Sequence, residues 1–158
     1  MQVFETKEDR AREASVANRI APILGVNLIR TRPMCCADYF VQDASGEVSG
    51  LMEIRTRTYT AERLGEMGGI FLPVRKVKLL YKLTFSIYMD FYFVVKTTNC
   101  LLHLCFTSDK DWPRLDKTYG GRTKDKRYDQ DTGPLYLFPT TLFTRIDDDP
   151  APLPTRSP

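Results

Sequence analysis

This 158-residue chain has few histidines and lacks the closely spaced cysteine pairs from which zinc sites are built. It has a single histidine, His103, and its four cysteines form no Cys-x-x-Cys pair, so no zinc cluster is predicted. No run of eighteen apolar residues exists to cross a membrane. The N-terminus also lacks the basic region and apolar core of a secretory signal. We therefore expect a cytoplasmic protein with free thiols.

The chain also lacks a strong net charge, since 23 Lys and Arg residues oppose 20 Asp and Glu residues, giving +3. Basic residues nevertheless concentrate in the middle, at 54–63, 75–82 and 110–127, whereas acids collect near both ends. A basic middle is compatible with a surface that binds phosphate groups. A solvated surface of mixed charge explains the same pattern equally well.

The length accommodates one domain with one core, which we place at residues 1–146, followed by a disordered, proline-rich tail at 147–158. Apolar periodicity and turn residues predict helices at 7–21 and 74–88 and strands at 26–30, 38–42, 48–56, 91–96, 101–106 and 135–138. They also predict a loop at 60–72, polar turns at 108–133 and a helical turn at 141–146. This alternation predicts an α/β fold, a sheet flanked by helices.

The most informative stretch runs from Ala37 to Arg57 and indicates two strands joined by a turn. The first strand carries Asp38 and the second carries Glu53 and Arg55. If the strands pair, with a bulge to fix the register, both acids project near one edge. Two adjacent carboxylates repel each other unless a cation lies between them, and their oxygens suit Mg²⁺ or Mn²⁺. The backbone carbonyl of Ile54 adds a third candidate oxygen ligand.

Arg55 is expected on the same face as Glu53, because side chains alternate along a strand. From that position it can orient a water molecule or stabilise negative charge on a phosphodiester. A guanidinium remains protonated, so it cannot act as a base, but it can bind an anion with two parallel hydrogen bonds.

These residues resemble the PD-(D/E)XK nuclease-like superfamily, which includes archaeal-type Holliday junction resolvases and many phage endonucleases. The resemblance covers roughly residues 10–106. Asp38 matches the first acid of the family motif. Glu53-Ile54-Arg55 stands where the family has Glu-x-Lys, so this chain departs from the pattern at Arg55.

Two further positions fit the resemblance. Glu13 stands where many members carry a helical glutamate that contacts the metal or its water, and Lys76 lies on the helix after the motif, where a basic residue often approaches the site. Taken alone, each is most simply a solvated helix position. The segment 120–131, followed by Pro134 and Pro139, is similar to the C-terminal part of small phage-encoded members.

The resemblance implies a PD-(D/E)XK-type core with a central mixed β-sheet flanked by helices. It implies a Mg²⁺- or Mn²⁺-dependent DNA endonuclease of phage or phage-like origin, with a branched substrate and a homodimer left open. Because of Arg55, the alternative is a catalytically inactive relative. Such a protein would bind nucleic acid, assist phage assembly or inhibit a host enzyme. An α/β interaction module without a metal is a third, weaker alternative.

Aromatic residues are interspersed with basic ones after residue 110. Trp112, Tyr119 and Tyr128 could stack on bases, although anchoring of loops is an equal alternative. His103 lies among apolar neighbours, which favours a packed histidine over a catalytic base.

Overall fold

The computed structural model describes residues 6–32, 35–107, 112–121 and 132–146. The predicted tail at 147–158 lies outside them, as does Tyr128. The helices are α1 (Lys7–Leu24), α2 (Ala61–Glu66) and α3 (Val74–Ile87). The strands are β1 (Asn27–Arg30), β2 (Tyr39–Gln42), β3 (Val48–Thr56), β4 (Ile70–Pro73), β5 (Asp90–Lys96), β6 (Leu101–Phe106), β7 (Asp116–Gly121), β8 (Thr132–Phe138) and β9 (Thr144–Ile146).

The central sheet is mixed and has six strands in the order β1-β2-β3-β5-β6-β9. Its neighbouring strands are antiparallel except β3 and β5, which run parallel because α2, β4 and α3 carry the chain across between them. The expected bulge is present, as the β2–β3 register shifts between Val41 and Gln42. The prediction of an α/β fold with a mixed central sheet is therefore confirmed.

Apolar residues cover both faces of this sheet, which explains the continuous apolar run of β5. On one face, α1 packs through Val16 and Ile20 against Met52 and Ile54 of β3. On the other, α3 packs against a larger cluster that includes Phe93 of β5. Successive residues of β3 and β5 thus alternate between the two cores, and each core fixes the direction of the side chains between them.

Helix α1 begins with a capping box, in which the Thr6 hydroxyl accepts from the N–H of Asp9 and the Asp9 carboxylate accepts from the N–H of Thr6. The prediction that it ends at Ala21 was wrong by three residues. Pro22 removes one N–H donor, but the last turn still closes. The N–H groups of Gly25 and Val26 donate to the carbonyls of Pro22 (3.2 Å) and Ala21 (3.0 Å), and Gly25 adopts the left-handed conformation, with φ 66°.

The prediction of a loop at 60–72 was wrong. Thr60 caps α2 by accepting a hydrogen bond from the N–H of Arg63 (3.1 Å), and β4 follows. Gly68 and Gly69, with φ 96° and 137°, form the turn between them instead of belonging to a longer loop. Strand β4 exists because β8 supplies an antiparallel partner, far away in the chain.

The end of the described chain also differs from expectation. Within 108–133, which was predicted as polar turns, β7 forms and pairs with β8, so that a second sheet has the order β4-β8-β7. The predicted helical turn at 141–146 is a 3-10 turn at Thr140–Leu142 followed by β9. Strand β9 is only three residues long and depends on its pairing with β6. No helix of the described residues has the length and apolarity needed to cross a membrane.

Candidate active site

The first predicted acid, Asp38, lies at the N-terminal end of β2, next to β3. Asp38 lies in the bend just before β2, and its N–H donates to the carbonyl of Met52 (3.0 Å). Its carboxylate Oδ2 accepts from the N–H of Ile54 (2.8 Å). The side chain of Asp38 therefore accepts the hydrogen bond that a backbone carbonyl would otherwise accept. This contact directs the carboxylate towards Ile54 of β3.

Glu53 lies beside this position and is completely buried, with 0% of its side chain exposed. Two cations contact its Oε1 atom: Nη2 of Arg55 at 2.6 Å and Nζ of Lys76 at 2.7 Å. Arg55 comes from the same face of β3, and Lys76 from the first turn of α3. Both cations keep part of their side chains in solvent, 30% and 22% respectively, so the buried charge of Glu53 is paired at the edge of the core.

The second oxygen of Glu53, Oε2, is buried and has no hydrogen-bond partner among the described residues. Buried polar atoms are rarely left in this state, because the loss of hydration is not replaced. A carboxylate oxygen without a donor is a typical ligand for a hard cation. The orphaned oxygen therefore favours a ligand at this point.

Asp38 is affected by the same environment. Its pKa is raised above the ordinary value, first by burial and then by the charge of Glu53. Lys76, the N–H of Ile54 and Arg55 act in the opposite direction without cancelling these effects. A divalent cation placed between the two acids would relieve this repulsion and lower the pKa again.

Arg55 remains charged at this site. Burial alone would lower its pKa, but the carboxylates of Glu53, Asp38 and Glu13 raise it above the ordinary value. Glu13 is thus close enough to Arg55 to act on its charge. The Glu13 carboxylate also forms an ion pair with Arg30, at 3.1 Å.

The backbone of Ile54 faces Asp38. In a β-strand, the N–H and C=O groups of one residue point towards the same neighbouring strand. The N–H of Ile54 points to Asp38, so its carbonyl oxygen faces the same side of β3. The donor set that the sequence predicted, two carboxylates and this carbonyl, is therefore compatible with the geometry.

The described residues contain no group of three or more His, Cys, Asp or Glu side chains arranged to hold a metal ion. The orphaned Oε2 of Glu53 and the raised pKa of Asp38 both fit a hard divalent cation such as Mg²⁺, which binds through one or two carboxylates and retains several waters.

A family model described as "Phage putative PDDEXK endonuclease" matches residues 1–146. The chain belongs to this family. The resemblance to PD-(D/E)XK nucleases is thereby confirmed and supports a nuclease of phage origin. No curated protein and no solved structure matches the chain significantly.

Sequence reasoning overlooked one residue of this candidate site. Arg30 ends β1 opposite Tyr39 of β2; its guanidinium donates to the Tyr39 hydroxyl (3.2 Å) and to the carboxylate of Glu13 (3.1 Å). It therefore ties α1 to the β1–β2 edge and fixes the position of Glu13. A basic residue at the end of the first strand, facing a helical glutamate, is the signal that could have identified it.

Proposed function

We propose that the protein is a divalent-metal-dependent DNA endonuclease that hydrolyses phosphodiester bonds, encoded by a phage and active on branched DNA in the host cytoplasm. One observation carries this proposal. Glu53 is a fully buried carboxylate with an orphaned oxygen, beside a second acid whose pKa is raised, in a chain of the PDDEXK family. A homodimer belongs to the same proposal.

The ligands would be the carboxylates of Asp38 and Glu53 and the carbonyl of Ile54, with water completing the shell of Mg²⁺ or Mn²⁺. When bound, such an ion neutralises charge on the phosphodiester and activates water. Asp38 must be ionised to take part. Because the pKa of Asp38 is raised, its carboxylate becomes ionised, and so able to bind a metal, at a higher pH than an ordinary aspartate would.

Lys76 and Arg55 divide the role that the family motif assigns to one lysine. Lys76 brings an ammonium group to Glu53 from α3, where it can donate to a non-bridging oxygen of the scissile phosphate. Arg55 presents a permanent positive charge and several N–H donors for the charge that develops in the transition state. Glu13, paired with Arg30, would assist through a water molecule of the metal, and its charge also acts on Arg55.

A second candidate function is a silent relative that binds nucleic acid without cutting it. The observation that favours it is the charge balance of the site. Arg55 and Lys76 both contact Glu53, so two cations oppose the two acids. A site neutralised in this way has less attraction for a divalent ion than two acids alone.

Cleavage of supercoiled, branched and single-stranded DNA in Mg²⁺ and in Mn²⁺ tests the first candidate. The wild type is compared with Glu53→Gln, which keeps the shape of the side chain but not its charge. We expect cutting by the wild type in metal and none by Glu53→Gln. Calorimetric titration with the metal alone supplies the second readout, and Asp38→Ala should abolish the heat of binding.

The results separate the two candidates. DNA binding without cleavage on any substrate, in either metal, would overturn the endonuclease and favour the silent relative. Cleavage that survives Glu53→Gln would place the reaction elsewhere in the chain.

A further inference from the structure

A second concave site lies beside α3. It is an open groove of about 720 Å³ between α3, the segment 112–117 and β8, a volume within the range of small-molecule sites. Lys78 and Tyr81 line it, and helical geometry places Lys78 on a different side of α3 from Lys76, since two residues correspond to about 200° of rotation. The helix therefore separates this pocket from the acids of the candidate active site.

Aromatic rings form much of the wall. Trp112 is fixed in place by stacking on Phe91 (5.3 Å between ring centres) and by contacts with Phe106 and Tyr81. Tyr81 leaves 39% of its surface exposed, and Tyr136 lines the pocket from β8. The pocket thus offers flat apolar surfaces on a rigid support.

Positive charge surrounds these rings. Lys78, Arg114 and Lys117 line the same pocket, and among the described residues that line it they are opposed by one acid, Asp116. The ammonium group of Lys117 lies 5.5 Å from the centre of the Tyr136 ring. All three cations are solvent-exposed, so they can move to meet an anion without losing a buried partner.

An aromatic wall with cations at its rim matches a ligand that has a flat ring and a phosphate. A nucleotide has both, and stacking on aromatic side chains is the usual way in which unpaired bases are bound. A base inside a duplex has both faces covered by its neighbours, so it cannot enter this pocket.

We propose that the pocket binds an unpaired nucleotide of the DNA substrate, with the base against Tyr81 or Tyr136 and the phosphate at Arg114 and Lys117. This inference rests on the proposed function, because it names the class of substrate: DNA that has a single-stranded segment near the scissile bond. A strand that leaves the candidate active site must cross α3, which is about 10 Å wide, to reach the pocket. Arg75 and Lys78 are exposed on that helix.

Binding in EDTA tests the pocket without any cleavage. Fluorescence anisotropy would compare a labelled oligothymidylate of about twelve nucleotides, within the usual site size for single strands, with a blunt duplex of the same length. We expect Tyr81→Leu to weaken binding of the single strand by about tenfold, the scale of one stacked base, and to change binding of the duplex by less than about twofold. Tyr88→Leu is the matched control, because Tyr88 lies just after the same helix, is 94% exposed and does not line the pocket.

Two double variants, each of which removes two positive charges, test the phosphate contact: one lies in the pocket and the other is a control outside it. Arg114→Gln with Lys117→Gln should weaken binding of the single strand about tenfold, as expected for the loss of two phosphate contacts. Lys7→Gln with Arg63→Gln removes the same charge from α1 and α2 and should leave it within about twofold. All four positions are exposed, so these variants should keep the fold.

The outcomes are decisive for the pocket alone. Unchanged single-strand binding in both pocket variants, or an equal loss on duplex and single strand, overturns the proposal. Because these measurements use no metal, they do not depend on activity: Glu53→Gln should bind the single strand like the wild type. A protein that never cuts DNA but shows the expected pattern would refute the endonuclease and leave the pocket standing.

Discussion

The ammonium group next to Glu53 comes from a helix, whereas the family motif places a lysine on the strand. In this chain the strand position is Arg55, and Lys76 of α3 contacts the same oxygen, 2.7 Å away. Lys76 therefore supplies a small ammonium group on a flexible side chain, and Arg55 supplies a larger guanidinium group that is always charged. This division makes a prediction about which of the two matters more for cleavage.

Lys76→Met should reduce cleavage by about 100-fold, because one donor to the transition state is lost. Arg55→Lys keeps a cation at the strand position and should cut at least as fast as the wild type. Lys82→Met is the control, since Lys82 is an exposed lysine of the same helix and should have no effect. Initial rates of plasmid nicking measure all three. Greater sensitivity to Arg55→Lys than to Lys76→Met would contradict this assignment.

Asp38 should make the fold less stable near neutral pH. Its pKa is raised in the folded state, so the folded protein disfavours the ionised form. The stabilising effect of the protonated form is complete below the ordinary pKa and is lost as the pH rises through the raised one. Asp38→Asn, which can still accept from the N–H of Ile54, should therefore increase the free energy of unfolding at pH 7 by about 1 kcal/mol, the scale of a screened charge repulsion.

Urea denaturation at pH 7 and at pH 3 checks this prediction. At pH 3 the aspartate is mostly protonated in both the folded and the unfolded state, so the difference in stability between the wild type and Asp38→Asn should nearly vanish. Mg²⁺ should stabilise the wild type but not Asp38→Asn. If Asp38→Asn is less stable than the wild type at pH 7, the carboxylate is a structural group.

Much of the candidate site could be predicted from residue types, because alternation on β3 places Glu53 and Arg55 on one face. The contact with Lys76 was implied only by family resemblance, and spacing along the chain does not reveal it. The role of Arg30 was missed because it depends on the pairing of β1 with β2 and on the docking of α1. These are long-range packing effects, which no local pattern encodes.

Among the elements, the turn between α2 and β4 has the strictest requirement. Gly69 has φ 137°, and a Cβ atom there would overlap the backbone carbonyl of Phe138. Gly69→Ala should therefore destabilise the protein by about 3 kcal/mol or more, by strain and by separation of β4 from β8.

Thermal or urea unfolding measures the effect of Gly69→Ala. Gly133→Ala is the control, because no atom of the described residues, apart from its chain neighbours, lies within 4 Å of the added Cβ and its φ is not in the left-handed region; it should change stability by less than about 1 kcal/mol. Equal stability of the two variants would show that β4 and β8 can separate without cost.

The elements that were predicted well share a physical cause. β3 and β6 are long or continuously apolar, and the structure gives the predicted bounds for both, Val48–Thr56 and Leu101–Phe106. By contrast, β4, β7 and β9 are short or polar, and each is a strand only because a partner pairs with it: β4 and β9 pair with strands distant in sequence, and β7 pairs with the next strand, β8. Glycines at 65, 68 and 69 also favoured a loop and concealed the single turn between α2 and β4.

At the scale of the whole molecule, β9 is the last strand at one edge of the central sheet. It pairs with β6, and just before it Phe143 packs on the buried ring of Phe93, with 5.4 Å between ring centres. A chain ending at 142 loses these contacts and should melt well below the full-length protein. A chain ending at 146 keeps them, and its melting temperature should stay within about 2 °C, which corresponds to a change in stability of well under 1 kcal/mol.

Calorimetry of the two truncated chains tests this prediction, together with the proposed domain boundary at 146. Comparable melting of both would mean that β9 contributes little to the sheet. A large loss for the chain ending at 146 would instead assign a structural role to residues 147–158 and refute the prediction of a tail.

The parallel pairing of β3 with β5 has a consequence for the order of folding. Glu53 lies before the crossover and Lys76 near its end, with α2 and β4 between them. Pairing of strands that are distant in sequence is slow, because the loop must close before the contacts form. We therefore expect the ammonium–carboxylate contact to appear late, with docking of α3, while the β2–β3 hairpin that holds Asp38 forms early. In the proposed endonuclease, a newly made chain would then not cut DNA until its sheet is complete.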